Sequence, residues 1–318
     1  MIFKNTISLD LGTSSAIIYI KGKGIVLQEP SIVAIDEDGK IAAIGDEAKR
    51  RLGRGDDIRE VKPLEDGMVS DFNMVRTMVE YFLNRVVDTG FFRPDVIICI
   101  PEKLTDVEER GVIQAAHDSG ANNVDIVVRP LAAAAGAGID IDSPYANMIV
   151  DMGGGTTEIS VVASRNIVDS LSIKEGGDAL NRDIKEYIKE KYNADISIKN
   201  AENIKRRIGS AIICPREDSL EVSVWDLDTD EQKKITVMNT EVQKAMEKSL
   251  ASIVGAIRDV LDGLTDEEKA DITNHGINLI GGGALLEGVD RLIAAELGIK
   301  TKIAEDPITG IAIGASKI

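Results

Sequence analysis

The stretch 151-DMGGGTTEIS-160 sets three glycines between an apolar run and two threonines. A second stretch, 10-DLGTSS-15, repeats the order Asp, apolar residue, glycine, small residues, hydroxyls. Glycine loses more conformational entropy on folding than any other residue, so a triplet costs stability unless something needs the bare backbone. Exposed N–H groups in such turns suit a polyphosphate, which must approach the main chain closely. On its own, either stretch fits a tight turn with no ligand equally well. The hydroxyls of Thr13, Ser14, Thr156 and Thr157 add donors without bulk. Asp10 and Asp151 suit Mg²⁺, directly or through water, because that ion takes oxygen ligands and keeps several waters. A third cluster, 281-GGGALLEG-288, offers Gly281, Gly282 and Gly283 to a base and ribose. Three such clusters in this order, two with aspartates, point to a nucleoside triphosphate with Mg²⁺.

The elements that must position these turns alternate along the chain. "IIYI" and "IVLQEPSIVAI" read as early strands, and 68–87 is predicted as one amphipathic helix. In it Val69, Phe72, Val75, Val79, Phe82 and Val86 recur at three- and four-residue steps, and Met68, Met74 and Met78 read as core. "DVIICIP" is a continuous apolar strand. Thr105 and Glu108 form a capping box for the next helix, which Gly120 stops. "VDIVV" is a strand and "PLAAAAGAG" a helix opened by Pro130. Helices are predicted at 178–192, 199–209 and about 240–262, with a hairpin of "LEVSVWDL" and "KKITV" between the last two. This alternation predicts α/β layers on a largely parallel sheet. The two Asp-Gly turns, each between apolar strands, suggest a duplicated fold whose hairpins grip one phosphate chain from opposite sides.

Composition narrows the function. The 318 residues leave room for two domain-sized cores, and 37 basic against 54 acidic residues give a net charge of −17. That balance excludes nucleic acid as a main partner, since duplex affinity comes from cationic side chains at phosphates. Cys99 and Cys214 imply no disulfide framework, and Cys99 in its apolar run is expected to be a buried, inert thiol. The start, MIFKNTISLD, lacks the character of a secretory signal, and no apolar run spans a membrane, so a cytoplasmic chain is expected. His117 and His275 have no partner at metal-ligand spacing and read as solvated or structural. Neither a Walker A pattern nor a nucleophile elbow occurs.

Beyond the glycine turns, seven stretches carry a resemblance: "KGKGIVLQEPSIVAI", "PLEDGMVSDF", "IPEKLTDVEERGVIQAA", "PLAAAAGAG", "MIVDMGGGTTEISVV", "AENIKRRIGSA" and "GINLIGGGALLEGVDRLI". Over essentially its whole length the chain resembles the MreB family of bacterial actins, within the superfamily of actin, sugar kinases and heat-shock chaperone ATPases. The resemblance implies an α/β, actin-like ATPase fold of two lobes, each with a duplicated ribonuclease H-like core and a small subdomain, with ATP and Mg²⁺ in the cleft. It places subdomain IA at 1–31, 66–139 and 307–318, IB at 32–65, IIA at 140–174 and 242–306, and IIB at 175–241. Asp10, Gly12, Thr13 and Ser14 match the first phosphate loop. Asp151, Gly153, Gly154, Gly155, Thr156 and Thr157 match the second, with Thr156 where the family positions the attacking water. Gly281, Gly282 and Gly283 match the adenosine motif, and Lys205 the helix lining sugar and base. The implied partners are further copies of the chain in double protofilaments, the inner membrane surface, and cell-wall elongation or shape proteins. The implied location is cytoplasmic, peripheral at the inner face of the cell membrane.

Two positions depart from the family pattern. The family usually carries Glu-Glu-Pro before the alanine-rich helix, and its second Glu helps activate water; here 126-IVVRP-130 puts Arg129 in that place. An arginine cannot accept a proton at neutral pH, but can hydrogen-bond a γ-phosphate oxygen. Nucleotide binding is therefore expected to survive, with slow hydrolysis. In 205-KRRIG-209, Arg207 replaces an acidic residue that faces the ribose. Either ribose contact and base selectivity change, leaving ATP against GTP open, or Arg207 turns outward.

Some members of the family that the chain resembles insert a short apolar loop into the membrane at the place of 89-TGFFRPD-95, and others add an amphipathic N-terminal helix. No such helix is expected before Asp10, so Phe91 and Phe92 form a candidate membrane-anchoring loop. The alternative is that both rings pack back on the preceding helix. As an anchor each contributes only ~1.5–3 kcal/mol, so attachment would rely on the avidity of a filament. The alternative function is a small-molecule kinase of the same superfamily, for which no catalytic aspartate stands out. A chaperone-type ATPase needs a peptide-binding domain, and the chain is expected to end near its actin-like core, at "GIAIGASKI".

Overall fold

The computed structural model describes residues 6–52, 57–65, 68–87, 93–100 and 104–318, and the candidate membrane loop with Phe91 and Phe92 lies outside them. Two compact units result. One comprises Met1–Pro144, Val162–Ile167 and Ala304–Ile318; the other comprises Tyr145–Val161 and Val168–Ile303.

In the first unit the strands are β1 (Thr6–Leu11), β2 (Ser15–Ile20), β3 (Gly24–Pro30), β4 (Val33–Asp36), β5 (Ile41–Ile44), β6 (Ile58–Val61), β7 (Leu64–Glu65), β8 (Met68–Val69), β9 (Asp95–Ile100) and β10 (Val124–Val128). The helices are α1 (Gly45–Leu52), α2 (Phe72–Asn84), α3 (Asp106–Asp118), α4 (Arg129–Gly136) and the C-terminal helix Gly310–Ala315. Five strands form one sheet in the order β10-β9-β1-β2-β3, and β5-β4-β6 form a small one. β1 pairs antiparallel with β2 and parallel with β9. The sheet is therefore mixed rather than largely parallel. A short turn can join only antiparallel neighbours, and the glycine turn after Asp10 is such a turn.

The predicted helix over 68–87 begins later, because Asp71 caps α2 by accepting from the Met74 amide at 3.1 Å and residues 68–69 pair as β8. Its inner face, with Val75, Met78, Val79 and Phe82, is buried as the periodicity requires, and Leu83 joins them. Thr105 and Glu108 exchange both bonds of the capping box on α3, and Gly120 follows its end with φ +96°.

The run of alanines in α4 has a tertiary cause. A Cβ on Gly136 would overlap the carbonyl of Gly310, and one on Gly314 would overlap that of Ala132, so α4 and the C-terminal helix cross backbone against backbone. Ser8 of β1 donates its hydroxyl to Ala312 O at 2.5 Å, tying that crossing to the sheet.

The second unit holds β11 (Asn147–Met152), most of β12 (Thr157–Ala163) and of β13 (Asn166–Ile173), β14 (Ala194–Asp195), β15 (Ser219–Asp226), β16 (Gln232–Met238), β17 (Ile277–Ile280) and β18 (Thr301–Ile303). Its helices are α5 (Gly177–Tyr192), α6 (Ile198–Ile208), α7 (Asn239–Gly263), α8 (Asp266–His275) and α9 (Val289–Leu297). The main sheet runs β13-β12-β11-β17-β18, with a smaller sheet β14-β15-β16. Taken in chain order within each unit, both five-stranded sheets read 3-2-1-4-5. The duplication suggested by two short motifs extends to the whole sheet topology. Helix α8 escaped the periodicity because only Ile272 is buried along it, although Thr265 and Glu268 cap it as the sequence TDEE allows.

Candidate functional site

The two Asp-Gly turns are built alike. β1 carries the buried Asp10 next to its last residue, Leu11, and the chain turns back with Gly12 N donating to Ser15 O at 3.0 Å. β11 carries the buried Asp151, and Gly153 N donates to Thr156 O at 2.9 Å. The aspartate stands two residues before the donating glycine in each, and each aspartate pairs across to a parallel strand, Asp10 with Cys99 and Asp151 with Ile280. Thr13 is half-buried and Ser14 exposed at the first turn. At the second, Gly154 and Gly155 are half-buried and Thr156 is nearly covered.

Around the first turn the structure joins residues far apart in sequence. The guanidinium of Arg129, at the start of α4, pairs with Asp10 Oδ1, and both side chains are almost wholly buried. Arg129 therefore rests on a carboxylate expected to serve Mg²⁺. Beside them Cys99 is fully buried; burial and the Asp10 charge push its thiol up, which keeps it protonated and unreactive.

Around the second turn, a pair of glycines that sequence reading passed over sets the packing. Gly177 N donates to Gly153 O at 3.0 Å and Asp178 N to Gly154 O at 2.8 Å, so the first amides of α5 are satisfied by the turn's carbonyls. A Cβ on Gly176 would stand 2.6 Å from Gly154 O, which is why KEGGDAL needs the first of its two glycines. Thr157 gives its single O–H to Glu175 O at 2.5 Å, so it braces the turn and has no proton left for a phosphate. Lys205 reaches the same place, its Nζ donating to Gly177 O at 2.6 Å. Burial lowers its pKa, and Glu202 and Asp178 partly oppose that. Arg207 is exposed on α6, in keeping with the outward alternative.

The glycine triplet after β17 divides into unlike members. Gly281 has φ +85°, and a Cβ there would overlap Asp151 Oδ1 and lie 2.5 Å from Met152 O. A Cβ on Gly283 would meet Met152 Cβ at 2.8 Å, whereas one on Gly282 meets nothing within 4 Å. Two of the three are thus glycine because the triplet lies against the strand leading into the second glycine turn. Gly281→Ala is expected to destabilise the chain by about 2 kcal/mol or more through overpacking and a left-handed backbone. Gly282→Ala should stay within about 0.5 kcal/mol. Urea unfolding of the two variants checks this, and equal midpoints would refute the distinction.

For a metal ion, the residues fit unevenly. Among the described residues no three His, Cys, Asp or Glu side chains cluster to hold one. Mg²⁺ arriving with a nucleotide would be held mainly by phosphate oxygens and water, with Asp151 as a carboxylate at hand. Asp10 does not fit that role while Arg129 holds it. His117 and His275 each lie 3.4 Å from a backbone carbonyl through Nδ1, and His275 stacks edge-on with Tyr145, as structural histidines do. No helix among the described residues is long and apolar enough to cross a membrane.

The family model described as MreB/Mbl protein matches residues 4–318. The cell shape-determining protein Mbl of Bacillus cereus is 42% identical over 98% of this chain and 95% of its own. Among solved structures, MreB5 of Spiroplasma citri bound to ADP superposes with a TM-score of 0.90 at 32% identity, covering 99% of this chain and 95% of the other. The MamK double helical filament aligns with a TM-score of 0.80 over 98% of both chains, at 19% identity a likeness of fold alone. The two-unit architecture is that of the actin-like ATPases, and the chain belongs to the MreB/Mbl family.

Proposed function

We propose that this chain is an ATP-binding cytoskeletal subunit that polymerises into double filaments and serves cell shape. The observation that carries the reading is the matched pair of turns, each a glycine N–H bonded three residues on and each preceded by a buried aspartate at a strand end. Turns of that kind present backbone donors to phosphate. Thr13, Ser14, Gly154, Gly155, Thr156, Lys205 and Gly282 are the residues proposed to meet the nucleotide. The MreB5 relative bound to ADP and the Mbl name of the bacillus relative support the nucleotide and the shape role. The MamK filament lends its fold to the idea of self-assembly. No observation favours the kinase alternative.

Attachment to the inner membrane face, cooperation with cell-wall elongation proteins and slow hydrolysis belong to the same proposal. Slow turnover rests on Arg129, which has no lone pair to take a proton from water. Sedimentation and electron microscopy of the purified chain with ATP and Mg²⁺ test the core claim. Paired protofilaments are expected; a chain that stays monomeric at every concentration, with nucleotide bound, would refute it.

A further inference from the structure

Arg129 and Asp10 lie 119 residues apart in sequence, at the ends of β10 and β1, with only β9 between those strands. Their paired side chains keep just 12% and 6% of their surface exposed. The guanidinium also lies against the turn itself: Nη1 is 3.5 Å from where a Cβ on Gly12 would stand. Because Arg129 opens α4, the positive end of that helix adds to the same local charge.

Two consequences follow from charge. The carboxylate this turn would offer a divalent cation is Asp10, and its Oδ1 already accepts from Arg129. It would also sit beside a fixed positive charge that low exposure leaves poorly screened. A phosphate group meets the opposite situation. The guanidinium fork matches its oxygens in geometry, and a hydrogen bond between such ions is stronger than a neutral one.

We propose that at this turn Arg129 stands in for the divalent cation: phosphate oxygens take over the guanidinium from Asp10, and nucleotide binding by this chain depends only weakly on Mg²⁺. The inference rests on the nucleotide-binding reading above and adds what neutralises the phosphates. It is a claim about binding and requires no turnover.

The test is calorimetric titration of the full chain with a non-hydrolysable ATP analogue, once in Mg²⁺ and once in EDTA. The two dissociation constants are expected to agree within about fivefold. In Arg129→Gln, affinity in EDTA should fall about tenfold to a hundredfold, the worth of a charge-assisted hydrogen bond, and Mg²⁺ should recover most of it. Parent-chain binding that weakens more than about tenfold in EDTA overturns the inference and leaves the nucleotide reading intact. Absence of binding in both buffers removes the nucleotide reading and this inference with it. Should Arg129→Gln fail to fold, the parent-chain comparison still decides.

Discussion

Arg129→Glu is expected to raise ATP turnover about a hundredfold, the lower end of what a positioned acid or base contributes. The variant restores the acidic residue that the MreB pattern carries before the alanine-rich helix, at the N-terminus of α4 and beside the first glycine turn. Phosphate release at saturating ATP and Mg²⁺ is the measurement. A rate within about twofold of the parent would mean that position 129 does not limit hydrolysis. Arg129→Gln, which removes charge without adding a base, should leave turnover low. Arg129→Glu also turns an attraction into a repulsion, because Asp10 is buried and holds the guanidinium in the parent chain. Breaking a buried pair costs about 3–5 kcal/mol, so the variant should melt earlier than the parent in EDTA. Mg²⁺ with nucleotide should restore part of that loss by binding only the folded chain.

A single methyl group at the crossing of α4 with the C-terminal helix is also expected to cost the chain much of its stability. In Gly314→Ala the new Cβ would overlap Ala132 O and the amide nitrogen of Gly136, all of it main chain. Backbone cannot rotate away as a side chain can, so the two helices must part. We expect a loss of about 3 kcal/mol, at the upper end of overpacking costs. The damage should reach the first turn as well, since α4 begins with Arg129 and Ser8 bonds to Ala312. Gly255→Ala supplies the contrast. It lies within α7 with nothing within 4 Å of its Cβ position, so the better helix former should stabilise by about 0.5–1 kcal/mol. Opposite shifts in urea midpoint are the expected outcome; two shifts of the same sign would refute the account of the crossing.

Much of the site was legible in the chain because its parts are local. A glycine turn between two apolar strands, an aspartate two residues ahead of it and a capping box three residues long are all patterns within one short stretch, and 10–15, 105–108 and 151–157 adopt them. Family resemblance added the order of the parts. Where the local signal was diluted, reading failed: α8 buries little, and Asp71 captured the start of α2 from an apolar periodicity that ran on through Met68 and Val69.

What the sequence could not reveal depends on residues meeting across long separations. The chain alone determined that position 129 is an arginine; only the folded sheet, by setting β10 two strands from β1, made Asp10 its partner. Likewise a triplet of glycines after β17 looked uniform in sequence. Packing against Asp151 and Met152 fixed two of its members and left Gly282 open. Strand pairing and close backbone approach are set by the whole core at once, and no neighbour in the sequence carries that information.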